Sequence, residues 1–145
     1  MDNIYNEGYD KEKEFQSLLL NRFGWILDIE DNFDGEGSPK YNLSTLKRAG
    51  DFLYRHDINY EKAFDDYTVD IMPGPYGSLD VSLSYEGVKK VYINFPENST
   101  KDCNYYGDNL NYVKNSSYIL LKPEKISGVI KEDKIYNWLL MWLRD

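Results

Sequence analysis

The sequence predicts an α+β fold: two N-terminal helices, an antiparallel sheet of four to five strands, and a C-terminal helix. Three observations carry this expectation. Apolar residues recur at helical spacing before residue 56, alternate strictly between Tyr67 and Phe95, and return to helical spacing near the C-terminus. With 145 residues, 41% hydrophobic and 16% aromatic, the chain is long enough to bury one core. The expected division is a loose polar tail over 1–9 and a single domain over 10–145, with the helices on one face of the sheet.

The first helix is expected from Asp10, because Phe15, Leu18, Leu19, Phe23 and Ile26 fall on one side and Glu12 and Glu14 suit its N-terminal end. Gly24 weakens continuity, yet Trp25 to Ile29 can extend the helix by a turn. The next stretch, Asn32 to Pro39, reads as a structural turn. Asn32 and Asp34 can bond their own backbone, Gly35 and Gly37 can take positive φ, and Trp25 and Phe33 are expected to clamp the turn to the core. Asn42 or Ser44 caps the second helix. Its stripe is Leu46, Ala49, Phe52 and Leu53, and it ends near Arg55 and His56. Gly50 beside Ala49 marks either a close helix approach or a merely tolerated glycine.

Residues 57–66 read as a linker, with a helical turn at Glu61–Phe64. Period-two alternation then sets three strands: Tyr67, Val69 and Ile71; Leu79, Val81, Leu83 and Tyr85; and Val91, Ile93 and Phe95. Met72 to Gly77, with two prolines, must turn. The short links predict an antiparallel meander. Cys103 to Tyr106, Tyr112-Val113 and Ser117 to Leu121 are expected as further strands, and Pro123 stops the last. The final helix is expected to begin at Lys131-Glu132-Asp133. Its stripe is Ile135, Trp138, Leu139, Trp142 and Leu143, widened by Leu140 and Met141.

The net charge is −8, and it is uneven: residues 1–66 carry a net −7 and residues 67–145 a net −1. An acidic chain without a basic stripe argues against nucleic acid and against an anionic membrane. The fourteen tyrosines suit half-buried sheet faces and contact surfaces. Cys103 is the one cysteine, so no internal disulfide forms. Met1 to Glu7 lacks a basic region leading into an apolar one, and the longest apolar run, Trp138 to Leu143, is too short to span a bilayer. The expected location is cytoplasmic.

No pattern of residues selects a chemistry. Glu30, Asn32, Asp34 and Gly35 sit at positions 1, 3, 5 and 6 of a calcium loop, but Tyr41 stands where the bidentate carboxylate is needed, so no metal is assigned. The Cys and His count excludes a structural zinc site. No phosphate-cradling glycine loop is present, and no cofactor is assigned. His56, at a helix end, reads as a cap instead of a base. It makes no nucleophile system with Cys103, and no catalytic residue is assigned. What remains is contact chemistry. Asp31, Asp34, Glu36, Tyr76, Tyr105 and Tyr106 are the candidate residues for a protein partner, which their charge makes basic. Trp138, Met141 and Trp142 are candidates for a homodimer interface.

Four blocks bear a resemblance: Asn32-Phe33-Asp34-Gly35-Glu36-Gly37-Ser38-Pro39, Ala49-Gly50-Asp51-Phe52-Leu53, Tyr76-Gly77-Ser78-Leu79-Asp80-Val81 and Tyr105-Tyr106-Gly107. In this order they resemble a loose group of small uncharacterised bacterial proteins that share an N-[WF]-D-G-x-G-[AS]-x-P turn. The resemblance spans roughly residues 25–107. It implies a shared fold and carries no activity. The function expected from size, acidity and surface aromatics is that of a non-enzymatic protein-binding module, such as an inhibitor, immunity protein or antitoxin, including those of phages and mobile elements. The alternatives are a small carboxylate- or metal-dependent enzyme using Asp34 and Glu36, and a self-assembling subunit using the C-terminal Trp helix.

Overall fold

The structure is a computed structural model and describes residues 4–37, 39–56, 58, 67–115 and 122–144. Strands β1 (Tyr67–Pro73), β2 (Leu79–Tyr85), β3 (Lys89–Phe95), β4 (Cys103–Asp108) and β5 (Lys125–Ile130) form one antiparallel sheet in that spatial order. Helices α1 (Ile4–Phe23) and α2 (Leu43–Arg55) precede it. A short α3 (Leu110–Asn115) links β4 towards β5, and α4 (Asn137–Arg144) follows the sheet. The architecture is the expected α+β class.

Alternation explains which face is covered. Ile71 opposes Val81, Val81 opposes Ile93, and Ile93 opposes Tyr105, so these apolar side chains share one face. Helix α2 lies across that face. Its Leu46, Ala49, Phe52 and Leu53 are all buried, and the Phe52 ring meets Phe95 edge-on with centroids 5.4 Å apart. Burying a side chain of this size stabilises by roughly 1.5–3 kcal/mol. Helix α4 seats Leu139 and Leu143 in the same core. Helix α1 packs against α2 through Phe15 and Leu19. Gly50 makes that approach possible: a Cβ there would lie 2.6 Å from Leu19 Cδ2.

Polar ties fix the layers. Arg48 of α2 grips Asp133 with two bonds, Nε to Oδ2 at 2.9 Å and Nη2 to Oδ1 at 2.8 Å, and also donates to the Lys101 carbonyl. This pairing holds the Asp133 carboxyl below the usual carboxylate range. His56 lies 2.9 Å through Nδ1 from the Phe52 carbonyl, and its Nε2 accepts the Ile135 N–H, which suits the neutral ring protonated at Nδ1. The ring thus caps α2 and anchors the approach to α4. The β1 edge is blunted. Asp70 accepts the Ile71 N–H, Arg22 donates to the Val69 carbonyl, and Pro73 has no N–H to offer.

Several boundaries differ from the sequence reading. Helix α1 is described from Ile4, ahead of the expected start at Asp10, and Gly24–Asp28 continues it as a 3₁₀ turn. Tyr112-Val113 is helical, not a strand, because Asp108 accepts the Leu110 N–H and sets the start of α3. Strand β5 was not expected, since Ser127-Gly128 breaks its apolar pattern. Gly128 is needed there: a Cβ would lie 2.6 Å from the Tyr105 hydroxyl, so the Tyr105 ring covers the space the glycine leaves. The last helix begins at Asn137 instead of Lys131, because Glu132 and Asp133 both take φ 55° and Asp133 turns toward Arg48. The expected strand Ser117–Leu121 and the helical turn at Glu61–Phe64 lie outside the described residues.

The Gly50 contact generates a stability test. Gly50→Ala should cost about 1–3 kcal/mol by overpacking against Leu19. Gly24→Ala, where a Cβ meets nothing within 4 Å, should change stability by less than about 0.5 kcal/mol. Urea unfolding of both variants checks this. Equal, small effects would contradict the close packing of α1 on α2.

Candidate functional site

The acidic turn and the β1–β2 turn meet at one end of the sheet. Five carboxylates crowd into residues 28–36: Asp28, Glu30, Asp31, Asp34 and Glu36. The turn holds its own shape. Asn32 Oδ1 accepts the Gly37 N–H, Asp34 Oδ1 accepts the Glu36 N–H at 2.9 Å, and Asn32, Gly35 and Gly37 all have positive φ. Asn32 and Asp34, which occupy two of the calcium-loop positions, thus serve as turn acceptors.

Tyr41 joins this turn to the sheet. It is 3% exposed, and its hydroxyl donates to the Gly74 carbonyl at 2.6 Å. Phe33 leans on its ring with centroids 6.1 Å apart. Burial raises the Tyr41 pKa above its ordinary 10.0, and the negative charges of Asp34 and Asp80 raise it further. A second contact comes from Pro39: a Cβ on Gly77 would lie 3.1 Å from Pro39 Cγ. The clamp expected of Trp25 and Phe33 therefore belongs to Tyr41. Trp25 is 48% and Phe33 54% exposed. A signal for Tyr41 was present in the sequence. It stands just before the Asn42 N-cap, with the buried Leu46 at the fourth helical position, which is the spacing of a hydrophobic staple.

Across the junction, Tyr76 stands at the tip of the β1–β2 turn. It is 74% exposed and adopts φ 53°, ψ 45°. The left-handed backbone costs a non-glycine residue about 1–2 kcal/mol. The neighbouring hydrogen bonds hold it: Gly74 N–H to Ser78 carbonyl, Ser78 N–H and Ser78 Oγ to Pro75 carbonyl. Under the turn, both Asn94 Nδ2 hydrogens are engaged, on Ser78 Oγ at 2.9 Å and Asp80 Oδ1 at 2.8 Å.

No family model, no curated protein and no solved structure matches the chain. Asp31, Asp34, Glu36 and Tyr76 are brought to one end of the molecule. Tyr106 is elsewhere, paired across strands with Tyr92 on the uncovered sheet face, and its hydrogen bond to Asp108 raises its pKa. Tyr105 points to the opposite, covered face. It is 8% exposed, edge-on to Trp138 at 6.0 Å, with its pKa raised by burial.

Trp138 and Met141 lie exposed along α4, whereas Trp142 is half-buried over Lys89, whose Nζ is 4.8 Å from the ring centroid. Among the described residues no helix is long and apolar enough to cross a membrane. Cys103 is buried, its thiol is 3.6 Å from Asp133 Oδ1, and burial pushes its pKa up to about 12. A thiol this protonated at neutral pH is a poor nucleophile.

The Tyr41 hydroxyl gives a pH-dependent prediction. The folded pKa is raised, so the stabilisation is fully present below pH 10.0 and is lost as pH rises through the higher folded value. Tyr41→Phe leaves the Gly74 carbonyl unpaired and should cost about 1–3 kcal/mol near neutrality. The wild-type advantage should shrink above pH 10.0 in denaturant titrations across that range. An advantage constant across the alkaline limb would refute this assignment.

Proposed function

We propose that this chain is a non-enzymatic, acidic protein-binding module of the inhibitor, immunity or antitoxin kind. In this reading it docks a basic protein through the end where the 31–36 turn meets Tyr76. The observation that carries the proposal is the company of exposed aromatic and acidic groups on a fixed scaffold. Phe33 in the acidic turn and Tyr76 in the β1–β2 turn stand out from the surface, Asp31, Asp34 and Glu36 are exposed, and Tyr41 ties the two turns together.

Such a surface suits recognition. Exposed tyrosine and phenylalanine supply contact area at low entropic cost, and the carboxylates steer a basic partner and set its orientation. Preorganised turns reduce the ordering cost of association.

The test is capture of a partner from host lysate at low and high salt, by wild type and by an Asp31→Lys, Glu36→Lys double variant. Both positions are exposed, so the variant should keep its melting temperature. The expected result is a stoichiometric basic protein, released by salt and not retained by the variant. Equal retention by the folded variant, or no partner at all, would sink the reading.

A further inference from the structure

We infer that Asp34-Gly35 is a site of spontaneous modification, at which Asp34 converts to isoaspartate through a cyclic imide. This goes beyond the docking reading and does not rest on it. Nowhere else in the 145 residues does an Asp or Asn precede a Gly. A side chain on the following residue crowds its backbone nitrogen, and glycine removes that hindrance. The turn itself demands the pair. Gly35 has φ 74°, in the left-handed region that favours glycine, so the fold places a glycine directly after Asp34.

The setting admits the reaction. Residues 31–37 are all exposed, and a Cβ built on Gly35 would meet nothing within 4 Å. The Glu36 N–H donates to Asp34 Oδ1 at 2.9 Å. That bond folds the carboxyl group back along the chain, over the peptide that contains the Gly35 nitrogen, and draws electron density from Cγ. One bond opposes: the Gly35 N–H donates to the Asn32 carbonyl at 3.0 Å. It lies in an exposed turn, where water competes for both groups and local opening costs little. It slows the reaction relative to an unstructured peptide and leaves the route open.

The chemistry needs only water. The Gly35 nitrogen attacks Cγ of the Asp34 carboxylic acid. A C–N bond forms, a C–O bond breaks, and the acid hydroxyl leaves with the amide proton as water. Water then opens the five-membered imide. Cleavage of the new C–N bond restores Asp34. Cleavage of the original peptide C–N bond leaves the chain running through Cβ, with a free carboxylate on Cα. Charge and mass are unchanged, but the backbone gains one atom and the Asp34–Glu36 bond is lost, so aged chains carry a remodelled acidic turn. Glu36-Gly37 is the built-in comparison, because the longer side chain would have to close a six-membered ring.

The experiment incubates the full chain at physiological temperature and neutral pH until a synthetic peptide of residues 28–40 is half converted. Digestion in mild acid and electron-transfer fragmentation then locate isoaspartate, with the unincubated chain as the baseline. The expected result is isoaspartate at position 34, at about a tenth of the peptide's yield or more, the fraction that openings of an exposed turn allow. Position 36 should be unmodified, and Asp34→Glu, with its melting temperature checked, should remove the product. A folded chain without isoaspartate at position 34, or with equal yields at its other aspartates, overturns the inference. No partner enters this measurement, so its outcome is separate from that of the capture experiment.

Discussion

The hydroxyl of Tyr41 on the Gly74 carbonyl is the constraint on which the candidate site depends. The acidic turn is shaped by its own Asn32 and Asp34 bonds and the β1–β2 turn is held from beneath by Asn94, and the Tyr41 bond ties the two together. With it, a buried ring sits beneath Phe33 and beside the start of α2, and its polar end reaches into the turn that presents Tyr76. One buried hydrogen bond contributes about 1 kcal/mol net, but leaving either partner unpaired costs more. The bond therefore specifies geometry more than it adds stability.

Charge is arranged to the same end. Some cations of the fold are engaged inward: Arg48 on Asp133, and Lys89, 6% exposed, on Glu124 and the Trp142 carbonyl at the end of α4. A cation at that terminus also complements the helix dipole. The carboxylates of residues 28–36 are instead displayed on an exposed turn whose backbone is satisfied by its own Asn32 and Asp34. Residues 28–36 hold five carboxylates and no Lys or Arg, so negative charge is concentrated on this exposed turn. A field so placed affects encounter rate and orientation more than fold stability.

Most of the fold was legible because its elements are strongly periodic. Leu79, Val81, Leu83 and Val91, Ile93, Phe95 alternate without interruption, and β2 and β3 lie where that alternation places them. The helical stripe of α2 was equally clear, and the Gly50 contact favours the close-approach reading over simple tolerance. The elements that were missed depend on long-range partners. Strand β5 contains Gly128, which is explained only by the Tyr105 ring across the ladder. The delayed start of α4 is explained only by Arg48, distant in sequence. In the candidate site, the turn chemistry of Asn32, Asp34, Gly35 and Gly37 was readable from residue type. Its attachment to the Tyr76 turn was not, because the staple position of Tyr41 gives its burial but not its Gly74 partner. Tyr105 and Tyr106 look alike in sequence, yet alternation sends them to opposite faces.

The two turns should form one rigid surface. Backbone {¹H}–¹⁵N heteronuclear NOE values for Asp34–Gly37 and for Gly74, Tyr76 and Ser78 test it directly, in wild type and in Tyr41→Phe. Ordered values in both turns of the wild type and a joint loss of order in the variant are expected. Turns already mobile in the wild type, or one loosening while the other stays ordered, would contradict it.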